Sequence, residues 1–507
     1  MYRILSASKD TYITNRVINN RYRATDANTG QAGTLDLFKL YNEATISGSS
    51  EVIELSRLLL KFDLNEVKKM HNSGTIDVSD GSFKARLKLH DVYGGQTTPN
   101  NFTCIVFPLA KSFDEGSGYD IVNYSDLDSC NFLTASINAG TVTLWSKQGA
   151  MSSGSLGAGS IDVIVSGALA GKGGTVENIA PTQYFSSGEE DLDVDITKIV
   201  SASVKDIISD NGFLVAFSGA FESDKNSYFV KRFASRNSAN KSIRPKLILQ
   251  FDDSLQDNHE DFIFDHTGSL YLSNVVRNKL TNLRTGDRSF DLATGSNCMV
   301  VKLSTGSIFS KSYKVSQILR GDNRVEGIYS ASFAVSSFGS LYNHIQSSGS
   351  LTFTQVWGNT AGTVAFLSSS ITIKRPTTNQ IDLDQTSFHV VTLNLSDRYK
   401  VSETARIRVF VEKKNREVIL RKTPFEKKSQ ISHDMYYRVR DFITGEIVVP
   451  FDTDSKSTRL SSDKNGMYFD FFMDTLPPGR TYVFDFLIQN MGFDTVVDDA
   501  AAKFIVE

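Results

Sequence analysis

The chain has 507 residues, 40% of them hydrophobic and 22% charged, with a formal net charge of -3. That length exceeds one core, so about two to four domains are expected. The near-neutral balance excludes binding of nucleic acid through a broad basic surface. No stretch reaches the roughly 18 consecutive apolar residues of a membrane span, so no membrane insertion is expected.

The amino end, Met1 to Asp10, has no apolar signal core and leads straight into strand-like sequence. The expectation is a chain made in the cytoplasm without a secretory signal. Thirty-five Gly, 18 Tyr and 34 Phe beside two Trp suit many short strands joined by turns. Three widely spaced cysteines, Cys104, Cys130 and Cys298, form no CxxC pair and read as buried thiols rather than metal ligands or a disulfide framework.

Asp10-Thr11-Tyr12-Ile13 predicts a first strand and Thr34 to Leu40 a second. Arg57 to Leu64 is the stretch that organises the first half. Leu58, Leu60, Phe62 and Leu64 share one face, and Arg57, Lys61 and Asp63 share the other with Leu59. That period of two predicts a sheet with one side on a core. A short helix from Asn65 to a stop at Gly74 should follow. The alternation returns at Lys84–His90, Gly212–Phe217 and Lys246–Phe251. Phe102 to Leu109 reads as a strand, with Pro108 placing an edge or an end there. Residues 148–176, rich in Gly, Ser and Ala, read as a mobile excursion around one apolar run, Ile161 to Val165. Asp191, Asp193 and Asp195 alternate with Leu192, Val194 and Ile196. Thr197 should then cap a helix whose stripe Val200, Val204, Ile207 and Ile208 ends at Asn211-Gly212.

Several of these segments resemble, in order and spacing, the DNRLRE-type jelly roll, a carbohydrate-binding-module-like β-sandwich. They are Asp10–Ile13, Arg57–Leu64, Lys84–Leu89, Asp195-Ile196-Thr197, Asn211-Gly212-Phe213, Phe233-Ala234-Ser235-Arg236 and Arg244–Leu247. The resemblance covers residues 1–252 and implies a β-sandwich of the kind found beside polysaccharide-active domains and in surface or fibrous proteins. The Trp-rich segments frequent in that family are absent here: the corresponding region reads Phe113 to Tyr119, and only Trp145 remains.

From Asp261, the run Phe262 to Asn274 resembles segments of large tailed-phage structural proteins. Short strands with Ser/Gly turns then continue to residue 377, among them Tyr329–Val335 and Ser350–Trp357, and predict a second sandwich. Arg375 to Asn379 reads as a hinge. The last unit opens with Val390–Leu395 and Ala405–Val411. Its Leu476-Pro477-Pro478-Gly479-Arg480-Thr481-Tyr482 resembles the tyrosine-corner signature of fibronectin-type and immunoglobulin-like sandwiches, which makes Tyr482 a fold staple. The expected class is all-β: a jelly-roll β-sandwich (1–252) followed by two smaller immunoglobulin-like β-sandwich domains (253–377 and 378–507).

Chemistry is harder to find. The seven histidines have no ligand spacing, and no nucleophile elbow, Walker loop or dinucleotide fingerprint is present. The comb Asp191/Asp193/Asp195 and the loop set Asp114, Glu115 and Asp120 are candidate calcium sites. Neighbouring comb carboxylates lie about 7 Å apart on a strand, which favours a solvated face. Trp145 and Tyr119 could stack on a sugar ring, but a single Trp in a jelly roll is more often core than platform. The charged runs Glu412–Glu417, Arg421-Lys422 and Lys427-Lys428 read as solvated hairpins able to meet an acidic partner surface. No catalytic residue, cofactor or metal ligand is assigned. The expectation is a non-catalytic structural protein of a tailed-bacteriophage virion, assembled in the host cytoplasm. It would sit at the neck, tail or fibre attachment and contact copies of itself and other virion proteins, with a host surface glycan as a further partner. The alternative is a carbohydrate-binding protein of a polysaccharide-degrading system.

Overall fold

The structure, a computed structural model, describes all residues except 46–50, 96–97, 151–161, 165–179, 260, 287–289, 376–387, 415–428 and 491–492. The hinge proposed at Arg375–Asn379 falls mostly outside the described residues, as do most of the charged runs after Glu412. Among the described residues, thirty-two strands and four short α-helices make the protein all-β. None of the helices among the described residues is long and apolar enough to cross a membrane.

The chain forms two compact units. One comprises Arg3–Lys68 and Lys84–Leu249; the other comprises Met1–Tyr2, Lys69–Phe83 and Gln250–Glu507.

The first unit holds a ten-stranded sheet with the strand Ile53–Phe62 near its middle. Tyr2–Thr14 pairs along one side of it and Phe213–Phe217 along the other, both antiparallel. The other strands singled out by alternation, Lys84–Leu89 and Lys246–Gln250, lie in the same sheet. One expectation needs correcting. Ile53–Phe62 does not present one face to solvent: Leu58, Leu59 and Leu60 are all fully buried, and Arg57 with them. Leu59 packs with Ile13, Leu109, Phe113, Cys130, Phe132, Trp145 and Val163 in a second core. The physical reason lies in the segment after Leu109, which returns over the sheet and covers the face that alternation assigns to water. Of the Gly/Ser-rich excursion, residues 148–150 and 162–164 are described. Val163 is buried and bridges to Leu109, while Asp162 accepts the Ser146 and Lys147 N–H groups at 2.8 and 2.9 Å.

The helix Asn65–Asn72 stands where expected. Gly74 follows it at φ 73°, a conformation that favours glycine, and a Cβ there would lie 2.3 Å from the Arg324 carbonyl oxygen. The second helix, Thr197–Val204, stops a turn earlier than its stripe suggests, because Asp206 takes a left-handed conformation at φ 54°. Ile208 is nevertheless buried. Thr197 is not the cap. Its hydroxyl accepts the Ala85 N–H at 2.9 Å, and Asp195 accepts the Thr197 N–H instead. Two further helices, Gly219–Ser223 and Tyr342–Ser348, carry no periodic stripe long enough to read in advance.

The second unit contains a seven-stranded sheet ordered Phe262–Ile263, Ala365–Lys374, Ser350–Asn359, Met299–Thr305, Phe309–Arg320, Asn323–Phe333, Gly268–Ser273. Its interior includes Trp357, Tyr329, Phe353 and Phe333. The same unit holds a four-stranded and a five-stranded sheet. Phe469 and Phe471 come from the four-stranded one and Tyr437, Phe484 and Phe504 from the five-stranded one; all are buried. The strand expected at Val390–Leu395 is Phe388–Thr392, and Leu393 is exposed. Tyr482 is the expected staple: its ring is fully buried and its hydroxyl donates to the Pro477 carbonyl at 2.6 Å.

Candidate functional site

The candidate residues for chemistry do not converge. Leu192 and Val194 point inward and Asp193 and Asp195 outward, as alternation requires. Each carboxylate of the comb is already engaged. Asp193 bonds Arg86 at 2.9 Å, Asp195 accepts the Thr197 N–H at 2.9 Å, and Asp191 accepts the Asp91 N–H at 2.8 Å and lies 3.0 Å from His90 Nδ1. Burial lowers the His90 pKa, with Asp191 acting in the opposite sense. In the Gly-rich loop, Asp114 accepts the Ile137 N–H, Asp120 caps the turn at Val122 and Asn123, and Glu115 pairs with Arg236. Among the described residues no three His, Cys, Asp or Glu side chains gather closely enough to hold a metal ion.

Trp145 belongs to the core. It is 5% exposed, and its indole N–H donates to the Asn131 carbonyl at 2.9 Å. Tyr119 is exposed but lacks that tryptophan as a partner. The first unit does have a small crevice, lined by Asp91, Val92, Tyr93, Gly94, Thr98, Val230 and Arg232. Tyr93 is 74% exposed there, and Arg232 is held by a bidentate pair with Asp36, both bonds 2.7 Å.

Sequence-remote polar groups converge around residues 250–258, within the second unit. Its beginning is held by two arginines. Arg320 donates to the Asp252 and Asp253 carbonyls, each at 2.9 Å, and Arg459 reaches the Ser254 hydroxyl at 2.7 Å and the Asp252 carboxylate at 3.3 Å. The next residues lie beside the strand Ser461–Asp463 in parallel. The Ser461 hydroxyl accepts the Leu255 N–H at 3.1 Å, the Leu255 carbonyl accepts the Ser462 N–H at 2.9 Å, and the Asp257 N–H donates to the Ser462 carbonyl at 3.3 Å. Gln256 donates to the Leu460 carbonyl at 2.9 Å.

The same stretch then turns to the strand Gly268–Ser273. Asn258 exchanges bonds with Ser269, its N–H donating to the Ser269 carbonyl at 3.0 Å and its side-chain oxygen accepting the Ser269 N–H at 2.8 Å. Asp257 accepts the Tyr271 N–H at 3.3 Å and also holds His259 Nδ1. Gln355 donates to His259 Nε2, which fixes the proton on Nδ1, and the Gln355 carbonyl accepts the Trp357 indole N–H at 3.2 Å. A single connector therefore satisfies the outer rows of two strands, Gly268–Ser273 and Ser461–Asp463, that would otherwise present unpaired N–H and C=O groups.

Comparison with protein-family models finds no match, and neither does comparison with curated proteins. Among solved structures, the chain is loosely similar to the A168–A169 segment of titin: 9% identity, 50% of this chain and 94% of that one covered, TM-score 0.13. The Ig1–2 module of the Drosophila receptor protein tyrosine phosphatase DLAR aligns at 12% identity, over 50% of this chain and 95% of that one, with TM-score 0.13. Salmonella alpha-2-macroglobulin aligns over 99% of this chain and 26% of its own length, at 6% identity and TM-score 0.15. The all-β assignment rests on the chain's own strands.

A second junction in this unit comes from Lys69–Phe83. Asp77, fully buried, accepts the N–H groups of Ser79, Asp322 and Asn323 at 2.8, 2.8 and 3.2 Å. Burial pushes its carboxyl up, but those N–H groups outweigh burial and hold it below the ordinary carboxylate range. Gly321 is required at the contact, since a Cβ would stand 2.5 Å from Asp77 Oδ2. Sequence reading missed both junctions. The polar run Asp252-Asp253-Ser254-Leu255-Gln256-Asp257-Asn258 shows neither period and looks like a linker. Its only early signal is four Asx side chains, which favour bonds to nearby backbone.

Proposed function

We propose that the protein is a non-catalytic structural subunit of a tailed-bacteriophage particle, at the neck, tail or fibre attachment. It would be built as sandwiches in series: a jelly-roll module at 1–252 and immunoglobulin-like modules at 253–377 and 378–507. The observation that carries this reading is the connector 250–258. A chain made to be flexible between modules would leave such a segment solvated. Here its backbone and side chains are bonded to strands on either side, which suits a part that keeps its shape under assembly. Its partners would be copies of itself and other virion proteins, with symmetry multiplying modest contacts into a stable assembly. Mass spectrometry of purified particles from the source tests it. Stoichiometric recovery of the chain in particles is expected; recovery only from the surrounding lysate would reject the assignment.

The second reading, a carbohydrate-binding protein, is favoured by one feature, the exposed Tyr93 ring beside the Arg232–Asp36 pair. Trp145 is too deeply packed to touch a sugar, so Trp145→Ala would report on folding. Glycan-array binding lost in Tyr93→Ala would support this reading; no binding by the intact protein would end it.

A further inference from the structure

Asp10 lies in the strand Tyr2–Thr14 and is 1% exposed. One of its oxygens, Oδ2, accepts the Arg236 N–H. The other, Oδ1, is buried with no hydrogen-bond partner among the described residues. A carboxylate buried this way stands against a second one, because Glu115 Oε1 accepts the backbone N–H of Asp10 itself at 3.0 Å. The Arg236 guanidinium is committed to Glu115 through both carboxylate oxygens, the NH2–Oε2 bond being 2.7 Å.

This cluster ties three loops together. The Asn237 side chain donates to the Gly30 carbonyl at 2.9 Å, and the Ser235 hydroxyl donates to the Ala32 carbonyl at 2.6 Å. The Asn28 amide donates to the Glu115 carbonyl at 2.9 Å and its oxygen accepts the Gly118 N–H at 2.9 Å. Segments 28–33, 114–118 and 235–238 are thus fastened at one place.

We infer that Asp10, Glu115 and Arg236 form a proton-operated latch on these three loops: closed while Asp10 carries its proton, and loosened when the proton leaves. A proton on Oδ1 removes the unpartnered buried charge. Its loss leaves a second carboxylate charge beside Glu115, whose partner guanidinium, that of Arg236, is already committed. Burial first, then Glu115, raises the Asp10 carboxyl to about 7, while the Arg236 N–H and the Arg236 and Arg244 guanidinium groups pull it back. The other cations nearby are spent on carbonyls: Lys9, on the same strand, on Phe113, and Lys61, on the adjacent strand, on Asp210.

The sign follows from proton counting. The closed form keeps its proton up to about 7. An opened, solvated Asp10 would lose its proton near the ordinary value of about 4. Opening therefore releases a proton between those limits, and the opening constant rises about tenfold per pH unit there and levels off above. The test is hydrogen exchange at the Asp10 and Arg236 amides of the full chain, corrected for intrinsic rates, from pH 5 to 8. The wild type should lose about tenfold protection per unit up to pH 7 and then flatten, while Asp10→Asn, which keeps the shape without the titration, should be flat throughout. A flat wild-type profile, or an unchanged slope in Asp10→Asn, would overturn the latch. Should Asp10→Asn not fold, the wild-type slope decides alone.

Discussion

The first unit and the terminal sandwich of the second hold their interiors in different ways. In the first, cations reach inward. Lys39 and Lys231 are fully buried, and each ammonium meets three acceptors, matching its three N–H groups. For Lys39 these are Asp224 Oδ1 at 2.6 Å, the Asn226 carbonyl at 2.6 Å and the Asp224 carbonyl; for Lys231 they are Asp91 and the carbonyls of Gly188 and Glu190 at 2.7 and 2.8 Å. Arg57 likewise binds Glu222 and the Gly149 carbonyl. In the terminal sandwich, aromatic rings do the packing. Tyr437 stacks on Phe469 at 4.2 Å, Phe484 stacks on Phe504 at 4.9 Å, and Phe471 meets Phe484 edge-on at 5.7 Å.

The difference follows from connectivity. In the first unit long loops return over a sheet, and their carbonyls have no ladder to join, so buried cations collect them. In the terminal sandwich, strands of up to 14 residues supply most of the backbone bonds themselves, leaving the interior to side-chain volume.

Substitutions can separate these two modes. The largest effect is expected from Phe484→Ala, at about 3–5 kcal/mol from lost burial and the cavity left behind, measured by denaturant unfolding followed by near-ultraviolet circular dichroism. Asp91→Ala should cost about 3 kcal/mol or more although it removes little volume, because it strands the Lys231 ammonium. Trp145 fluorescence in a Trp357→Phe background reads that loss in the first unit alone. An effect below about 1 kcal/mol would mean that the cations are incidental and that the contrast fails. Tyr482→Phe should be smaller, about 1 kcal/mol, since the ring stays packed and only the bond to Pro477 is lost.

These particulars show what the sequence could disclose. Period-two alternation located Ile53–Phe62, Lys84–Leu89, Phe213–Phe217 and Lys246–Gln250, because a face on a core imposes its pattern locally. The tyrosine corner was legible for the same reason, its bond closing over five residues from Tyr482 to Pro477. The second face of Ile53–Phe62 was not legible, since its cover comes from Phe113, Cys130, Phe132, Trp145 and Val163, far along the chain. Nothing local marks Lys39, Lys231 and Arg57 as buried, because their acceptors lie 41 to 187 residues away. The connector was hidden for a related reason: its partners at 269–271 and 459–462 become visible only once both strands are in place.

The rigidity of that connector is the central claim, and site-resolved hydrogen exchange at the amides of Leu255, Asp257, Asn258, Ser269 and Ser462 tests it most directly. Protection comparable to that of the interior strands Gly466–Phe472 and Ser350–Asn359 is expected at all five. Exchange at the rate of an unstructured linker across Leu255–Asn258, with those strands still protected, would contradict it.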